Sequence, residues 1–431
     1  MNKPFKHIQR TGLWWLSLII LTTIVSGCRS YQPAVQSAYR QLYRYSDSPI
    51  HPEYVVYHRS DDTTRIFFRV KSGELLYSRP TGADDFRAVI QLNFKGEISL
   101  DNARRSLSDS LTFEDFSGAN SDAWIVSFID ISIKPGESGM ITIDMMDKSR
   151  QSVVSNDIYI NKSDNFSKQN FIASSEGRIL FNEFVREGQQ IDVESRRNAG
   201  SALRLVHAEG DVKLPPPPFS GSLPSEPAAE DMREDTPYSK DSTGGFLSFT
   251  AREGRYVIFA GKEARSGKQI MVSHTFFPEI GTVEALIYPM RYITSKTEFE
   301  TIEKNSDPKK LIDNFWIECA GSKERARDLI RVYFERVQEA NYYFSSFTEG
   351  WRTDRGMVHI VFGRPDTIRR TGDTETWIYG EEGNISSITF IFKRTRNAFS
   401  DNVYQLMRDP VFRSAWERMV TTWRNGRVYS D

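Results

Sequence analysis

Asp354, Arg355, His359 and Asp366 lie in one short stretch near the C-terminal end and are the residues best placed by type and spacing to do chemistry. Two carboxylates beside a guanidinium and an imidazole could serve as acid and base in a hydrolysis, or as ligands for a hard cation. The competing role is architectural. Gly350 and Gly356 bracket Trp351, Thr353, Asp354 and Arg355. The glycines grant backbone freedom, Trp351 is large enough to anchor a turn in a core, and Thr353 and Asp354 can accept hydrogen bonds from nearby amides. Arg355 can then pair with either aspartate. No second histidine lies near enough to complete a metal-ligand spacing, so the architectural role is favoured and no catalytic residue, metal or cofactor is assigned.

The rest of the chain carries no catalytic signature. A Gly-x-Ser-x-Gly elbow, a phosphate-binding glycine loop and a His-Glu-x-x-His pair are all missing from the sequence. Its many Asp and Glu residues still leave a glycosidase-type pair open. His51, His58, His207 and His274 sit in or beside strand-like segments, where a packed or surface imidazole is much commoner than a ligand. His359 alternates with Val358 and Ile360 and is expected to point away from them. Cys319 falls on an apolar helix face, where a thiol usually packs. Trp316, Trp351, Trp377, Trp416 and Trp423 all lie in the last third. Core packing is favoured for most, with an exposed pair lining a peptide or glycan groove as the alternative.

At the other end, Cys28 closes Val25-Ser26-Gly27-Cys28 after an apolar run from Leu13 to Val25 that is led by Lys3, Lys6 and Arg10. The run is too short to span a bilayer. It reads as a lipoprotein signal peptide over residues 1–27, with Cys28 as the lipidated thiol. Acyl chains contributing about 0.8 kcal/mol per buried methylene would anchor the protein without a second membrane segment. Arg29 stands where an inner-membrane retention signal commonly has Asp, so the expected address is the outer membrane, facing the periplasm or the cell surface. The chain has 2 cysteines, and with Cys28 lipidated, Cys319 has no partner for an intramolecular disulfide. Net charge is −1 and falls to about −4 once the leader is gone. No basic face is concentrated enough for nucleic acid.

Around these residues, 431 positions with 39% apolar content are enough for about three globular domains. After a tether over 28–50, short β-type segments recur at Tyr54–Arg59, Arg65–Val70, Phe86–Phe94, Trp124–Ile133, Met140–Met146 and Val153–Ile160, with Gly, Pro, Asn and Asp at the joins. They predict a β-sandwich over 51–162. A second sandwich is expected over 163–290, from segments including Gln190–Val193, Leu203–His207, Phe246–Thr250, Arg255–Ala260, Gln269–His274 and Val283–Ile287. Both sandwiches are taken as immunoglobulin-like. A proline-rich insertion over 211–245, including Pro215 to Pro218, interrupts the second and reads as an exposed polyproline-like loop. The period then changes. Asp307-Pro308 starts a helix, a longer one runs from Lys323 to Phe347 with Gly350 as its left-handed cap, and Asp409-Pro410 starts the last, ended by Gly426. Val428 and Tyr429 are expected in a final short strand. The fold class is multidomain: two all-β sandwiches followed by an α+β domain over 291–431.

Gly350-Trp351-Arg352-Thr353-Asp354-Arg355-Gly356, followed by Val358–Phe362 read as a strand, Gly363-Arg364-Pro365-Asp366 and Glu375-Thr376-Trp377-Ile378-Tyr379, resembles the GWxTD domain family. The upstream Asp-Pro-led helix with Phe315-Trp316 belongs to the same likeness, which covers about residues 295–431. The resemblance implies a lipoprotein-like or secreted protein of Bacteroidetes or related bacteria, and an architecture with no established activity. The candidate motif or interaction residues are Gly350, Trp351, Thr353, Asp354, Arg355, Gly356, Asp366 and Trp377. The leading functional expectation is a non-enzymatic structural or docking component of the cell envelope, acting through its C-terminal domain. A glycan- or peptide-binding lipoprotein is the alternative, and a carboxylate-dependent hydrolase a weaker one. Partners expected are the membrane, through the lipid, and another envelope protein, with the secretion or outer-membrane assembly machinery as one candidate.

Overall fold

A computed structural model describes residues 49–428, apart from 80–81, 83–84, 101–102, 117–122, 165–166, 199, 201, 209–212, 223–232, 235–238, 241–243, 262–266, 372–373, 382, 396–399 and 401. The expected signal peptide, Cys28 and all but the last residues of the expected tether therefore lie outside the described residues, as do much of the proline-rich insertion and Tyr429.

The first seven strands are β1 (Glu53–His58), β2 (Thr63–Lys71), β3 (Ala88–Leu100), β4 (Ala103–Asp115), β5 (Trp124–Ser132), β6 (Ser138–Asp147) and β7 (Ser152–Asn161). They form two antiparallel sheets, ordered β1-β2-β5 and β4-β3-β6-β7. Alternation along β2 turns Ile66, Phe68 and Val70 inward, where they meet Ile90, Leu92, Ile129, Ile131, Ile141, Ile143 and Met145 from the other strands. Each fully buried aliphatic of this kind contributes about 1.5–3 kcal/mol, and this core holds the sandwich without a disulfide. Strand β4 is absent from the sequence reading. Its Arg-Arg-Ser-Leu-Ser-Asp-Ser run is mostly exposed at the sheet edge, so only Leu107 and Phe113 pack against the core and no apolar alternation marks it.

The next ten strands are β8 (Ile172–Ser175), β9 (Arg178–Ile179), β10 (Phe184–Arg186), β11 (Gln190–Glu194), β12 (Leu203–Ala208), β13 (Arg233–Glu234), β14 (Ser239–Lys240), β15 (Phe246–Thr250), β16 (Gly254–Ala260) and β17 (Lys268–Ser273). Their two sheets, β14-β15-β11-β8-β9 and β10-β17-β16-β12-β13, share a core that includes Ile191, Val193, Leu205, Phe249, Ile258 and Ile270. β10 runs parallel to β17, and the other pairs are antiparallel. Arg69 stacks on Phe181 at 4.7 Å and the Tyr57 hydroxyl accepts from the Arg196 amide at 3.1 Å, so the first sandwich bears on the second.

The remainder is α+β: helices α1 (Glu284–Ile287), α2 (Lys296–Glu303), α3 (Pro308–Ala320), α4 (Lys323–Phe344), α5 (Asp354–Phe362) and α6 (Phe412–Arg424) accompany β18 (Thr367–Thr371), β19 (Thr374–Tyr379), β20 (Ile388–Arg394) and β21 (Tyr404–Leu406). These strands form one antiparallel sheet in sequence order. Asp307 caps α3, accepting from the Lys310 amide at 3.2 Å. α4 buries Ala326, Tyr333, Val337, Ala340 and Phe344 along one face within this chain. Ser295 and Glu298 form a reciprocal capping box on α2.

Several expectations are corrected here. Val283–Ile287 is not a strand, because residues 284–287 form α1. Val358–Phe362 is the end of α5, with Thr353 as its N-cap. Every residue of α5 is buried, so it has no polar face, and periodicity cannot separate such a helix from an interior strand. α4 stops at Phe344 with an extended Ser345 behind it, so Gly350 is not its cap. Gly426 does end α6, at φ 61°. Val428 lies outside any strand.

Candidate functional site: the GWxTD turn

The segment between α4 and α5 folds back across α4, and its glycines are fixed by close approach. A Cβ on Gly350 would overlap the Ala340 carbonyl oxygen, and one on Gly356 would overlap the carbonyl oxygen of Gly350. Ala340, Gly350 and Gly356 are thus stacked backbone on backbone, which is a different demand from the rotational freedom expected of them. The Ser345 hydroxyl accepts from the Gly350 amide at 2.9 Å, and Asn341 Oδ1 accepts from the Trp351 amide at 3.2 Å. Thr353 Oγ1 donates to the Gly350 carbonyl at 2.7 Å and accepts from the Gly356 amide at 3.0 Å, capping α5 as its type predicts.

Trp351 is buried. Its indole nitrogen donates to Glu349 Oε2 at 2.7 Å, and its carbonyl accepts from the Tyr292 hydroxyl at 2.8 Å. Arg352 stacks on it at 4.6 Å. Trp377 is also buried, against Phe344 and Phe392, and donates to Glu375 Oε1 at 2.7 Å.

The charged residues of the motif point inward. Asp354 is paired with Arg408, which donates through both terminal nitrogens, and its Oδ2 also accepts from the Leu406 amide at 2.8 Å. Burial pushes the Asp354 carboxyl above its usual range, while the Arg408 hydrogen bond and charge and the Leu406 amide pull it back. Arg355 pairs with neither aspartate. It lies 3.7 Å from Glu375, donates to the carbonyl and side-chain oxygens of Asn402 at 3.0 and 2.5 Å, and is stacked between Tyr404 at 4.0 Å and Phe344 at 5.1 Å. Asn402 continues the network by donating to the carbonyls of Tyr343 and Ser345. Asp366 is exposed and accepts from the Gly380 amide at 2.6 Å. Asp354 and Asp366 are therefore spoken for by different partners. His359 is fully buried on α5, its Nε2 2.9 Å from Glu339, which Arg364 also contacts. Burial raises the Glu339 carboxyl, and His359 and Arg364 outweigh it, leaving a net shift downward.

Residues 254–425 match the GWxTD domain. The chain carries a GWxTD domain. The match reaches farther upstream than the likeness read from sequence, taking in β16 and β17 of the second sandwich. The contacts explain why these parts belong together: the Pro278 carbonyl accepts from Asn341, the Ile280 amide donates to Gln338, and Ser273 bonds Glu349, each within 3.2 Å. Comparison with curated proteins finds no match to this chain.

Three partners of the GWxTD motif escape sequence reading: Arg408, Asn402 and Asn341. Arg408 and Asn402 are far from the motif in sequence, Asn341 lies ten residues before Trp351, and none has a local signature. The proline-rich segment also differs from expectation. Pro215 and Pro218 are buried, the Pro216 carbonyl accepts from Arg408 at 3.0 Å, the Pro218 carbonyl accepts from the Asp409 amide at 3.1 Å, and Phe219 lies 4.5 Å beneath Arg413. Residues 215–219 are docked on the GWxTD domain instead of standing free as a loop. Trp316, Trp351, Trp377, Trp416 and Trp423 are all buried, so they form a core and not an exposed aromatic groove. Among the described residues, no group of three or more His, Cys, Asp or Glu side chains is arranged to hold a metal ion, and no helix is long and apolar enough to cross a membrane.

Proposed function

We propose that this protein is a non-enzymatic structural or docking component of the cell envelope, anchored in the outer membrane through a lipid on Cys28 and acting through its GWxTD domain. The observation that carries the reading is the engagement of the motif's charged groups inside the fold. Asp354 is held by Arg408, and Arg355 by Glu375 and Asn402, an arrangement suited to rigidity and not to proton transfer with a substrate. The lipoprotein pattern at Val25–Cys28 supplies the address.

The domain limits 51–162, 163–290 and 291–431 belong to this reading, with the two β units as immunoglobulin-like spacers. Strand order supports that likeness. In the first unit β1-β2-β5 faces β4-β3-β6-β7, and in the second the early strand β10 crosses to run parallel to β17, as Greek-key sandwiches do when an edge strand changes sheet.

Two experiments test the reading. Cys28→Ser should release the protein from the membrane fraction and abolish palmitate labelling. In-cell crosslinking of the lipidated protein should capture a defined envelope protein, and capture of nothing above background would remove the docking claim.

A further inference from the structure

The seating of the proline-rich segment goes beyond architecture. We propose that the face of the GWxTD domain carrying Arg408, Asp409 and Arg413 is a recognition surface for proline-rich, extended segments of another protein, and that Leu214–Phe219 is its resident intramolecular ligand. This rests on the docking reading above and names the partner's chemistry.

Four consecutive prolines, Pro215 to Pro218, fix φ near the extended left-handed helix and can offer carbonyls but no amide donors. The face opposite supplies donors. Arg408 Nη2 reaches the Pro216 carbonyl at 3.0 Å, and the Asp409 amide reaches the Pro218 carbonyl at 3.1 Å. Pro215 and Pro218 are buried, so ring packing accompanies the carbonyl contacts. Phe219 ends the run beneath the Arg413 guanidinium at 4.5 Å, an interaction that needs no complementary charge. Carbonyl pairing, proline burial and an aromatic terminus together describe a sequence preference for prolines followed by an aromatic residue. Such a ligand is stiff before it binds, so little ordering entropy opposes docking.

The motif has a part in this surface. Asp354 holds Arg408 through both terminal nitrogens, and one of those nitrogens donates onward to Pro216. The aspartate of GWxTD is thus a positioning residue for the guanidinium that reads the ligand. Arg413 is different: its side chain is 61% exposed and takes no part in the motif network, so it can be altered without disturbing the fold.

The test uses the full chain with residues 213–222 replaced by Gly and Ser, and a labelled peptide of residues 213–220. Saturable one-to-one binding by anisotropy is expected. The intact chain should bind about tenfold more weakly, because its own segment competes at an effective concentration near the millimolar range. Arg413→Ala in the replaced chain should weaken binding severalfold, and a peptide with its prolines changed to Ala should not bind. A replaced chain that unfolds cooperatively near the wild-type temperature yet shows no saturable binding would overturn the proposal. Should the replacement impair folding, Phe219→Ala in the intact chain provides the second arm: it must bind the peptide more tightly than wild type, and equal binding counts against the surface. A wild-type dimer that the peptide dissociates would reassign the ligand to a second copy of this chain, overturning its assignment to another protein. Failure of the titration leaves the crosslinking result for docking standing, so the two claims fail separately.

Discussion

Asp354→Asn isolates the charge of the motif while preserving its shape. In the folded chain Arg408 is 4% exposed and would keep its positive charge with no carboxylate beside it. Removing one member of a buried pair destabilises by about 3–5 kcal/mol, and the Asn oxygen still able to accept from the Leu406 amide retains about 1 kcal/mol of that. The expected loss is about 2–4 kcal/mol, which for a domain of this size lowers the melting temperature by about 5–15 °C. Urea unfolding followed by tryptophan fluorescence reads it directly, since Trp351, Trp377 and Trp423 are all buried in this domain. Asp366→Asn is the internal control, because that side chain is exposed and makes a single bond to the Gly380 amide; its effect should stay below about 1 kcal/mol. Combining Asp354→Leu with Arg408→Met should recover most of the loss, since neither charge is then buried alone. An Asp354→Asn protein within about 1 kcal/mol of wild type would refute the claim that this aspartate is an internal brace.

Three further outcomes follow from the same structure. Gly350→Ala and Gly356→Ala place a methyl on a backbone carbonyl and should each destabilise by about 1–3 kcal/mol or more, read by thermal melts. His58 is buried between Thr64 and the Asn161 carbonyl; burial is the main reason its pKa falls from 6.5 to about 4, with Lys162 and Arg197 adding to it. The unfolded chain therefore takes up a proton first as pH drops, so this contribution is complete above about pH 6.5 and is lost between there and about pH 4, by roughly 3 kcal/mol; His58→Gln should flatten that slope in denaturant melts. Burial also pushes the Cys319 thiol up to about 11 from 9.0, so iodoacetamide should label the native protein at pH 8 about a hundredfold more slowly than the unfolded one, followed by mass spectrometry.

Much of the fold was legible where one face of an element is wet. β2 and β6 stand out because buried residues alternate with more exposed ones between turn residues, and the start of α3 because a side-chain cap followed by proline leaves a local signature. Legibility failed at the two extremes of burial. β4 lies so far out on its edge that it lacks an apolar stripe, and α5 lies so far in that it lacks a polar one. The site followed the same division. Thr353 could be read as an amide acceptor because its partner, Gly356, is three residues away. Arg355 could not be matched to Glu375 and Asn402, since loop and strand between them bring those side chains in from a distance that no spacing encodes.

The sequence alone carries the Val25–Cys28 pattern on which the proposed lipid anchor rests, the change from β to α+β near residue 290, and the pentapeptide that places this chain among GWxTD domains. These are properties of neighbouring residues, expressed through local backbone preference and hydrophobic period. Tertiary structure decided what the motif touches: that its glycines permit backbone stacking, that Asp354 pairs with Arg408, and that Arg408 in turn donates to the Pro216 carbonyl. The two Arg408 contacts join groups far apart in the chain. Their energies come from burial and from pairing under burial, which exist only once the chain has closed around them.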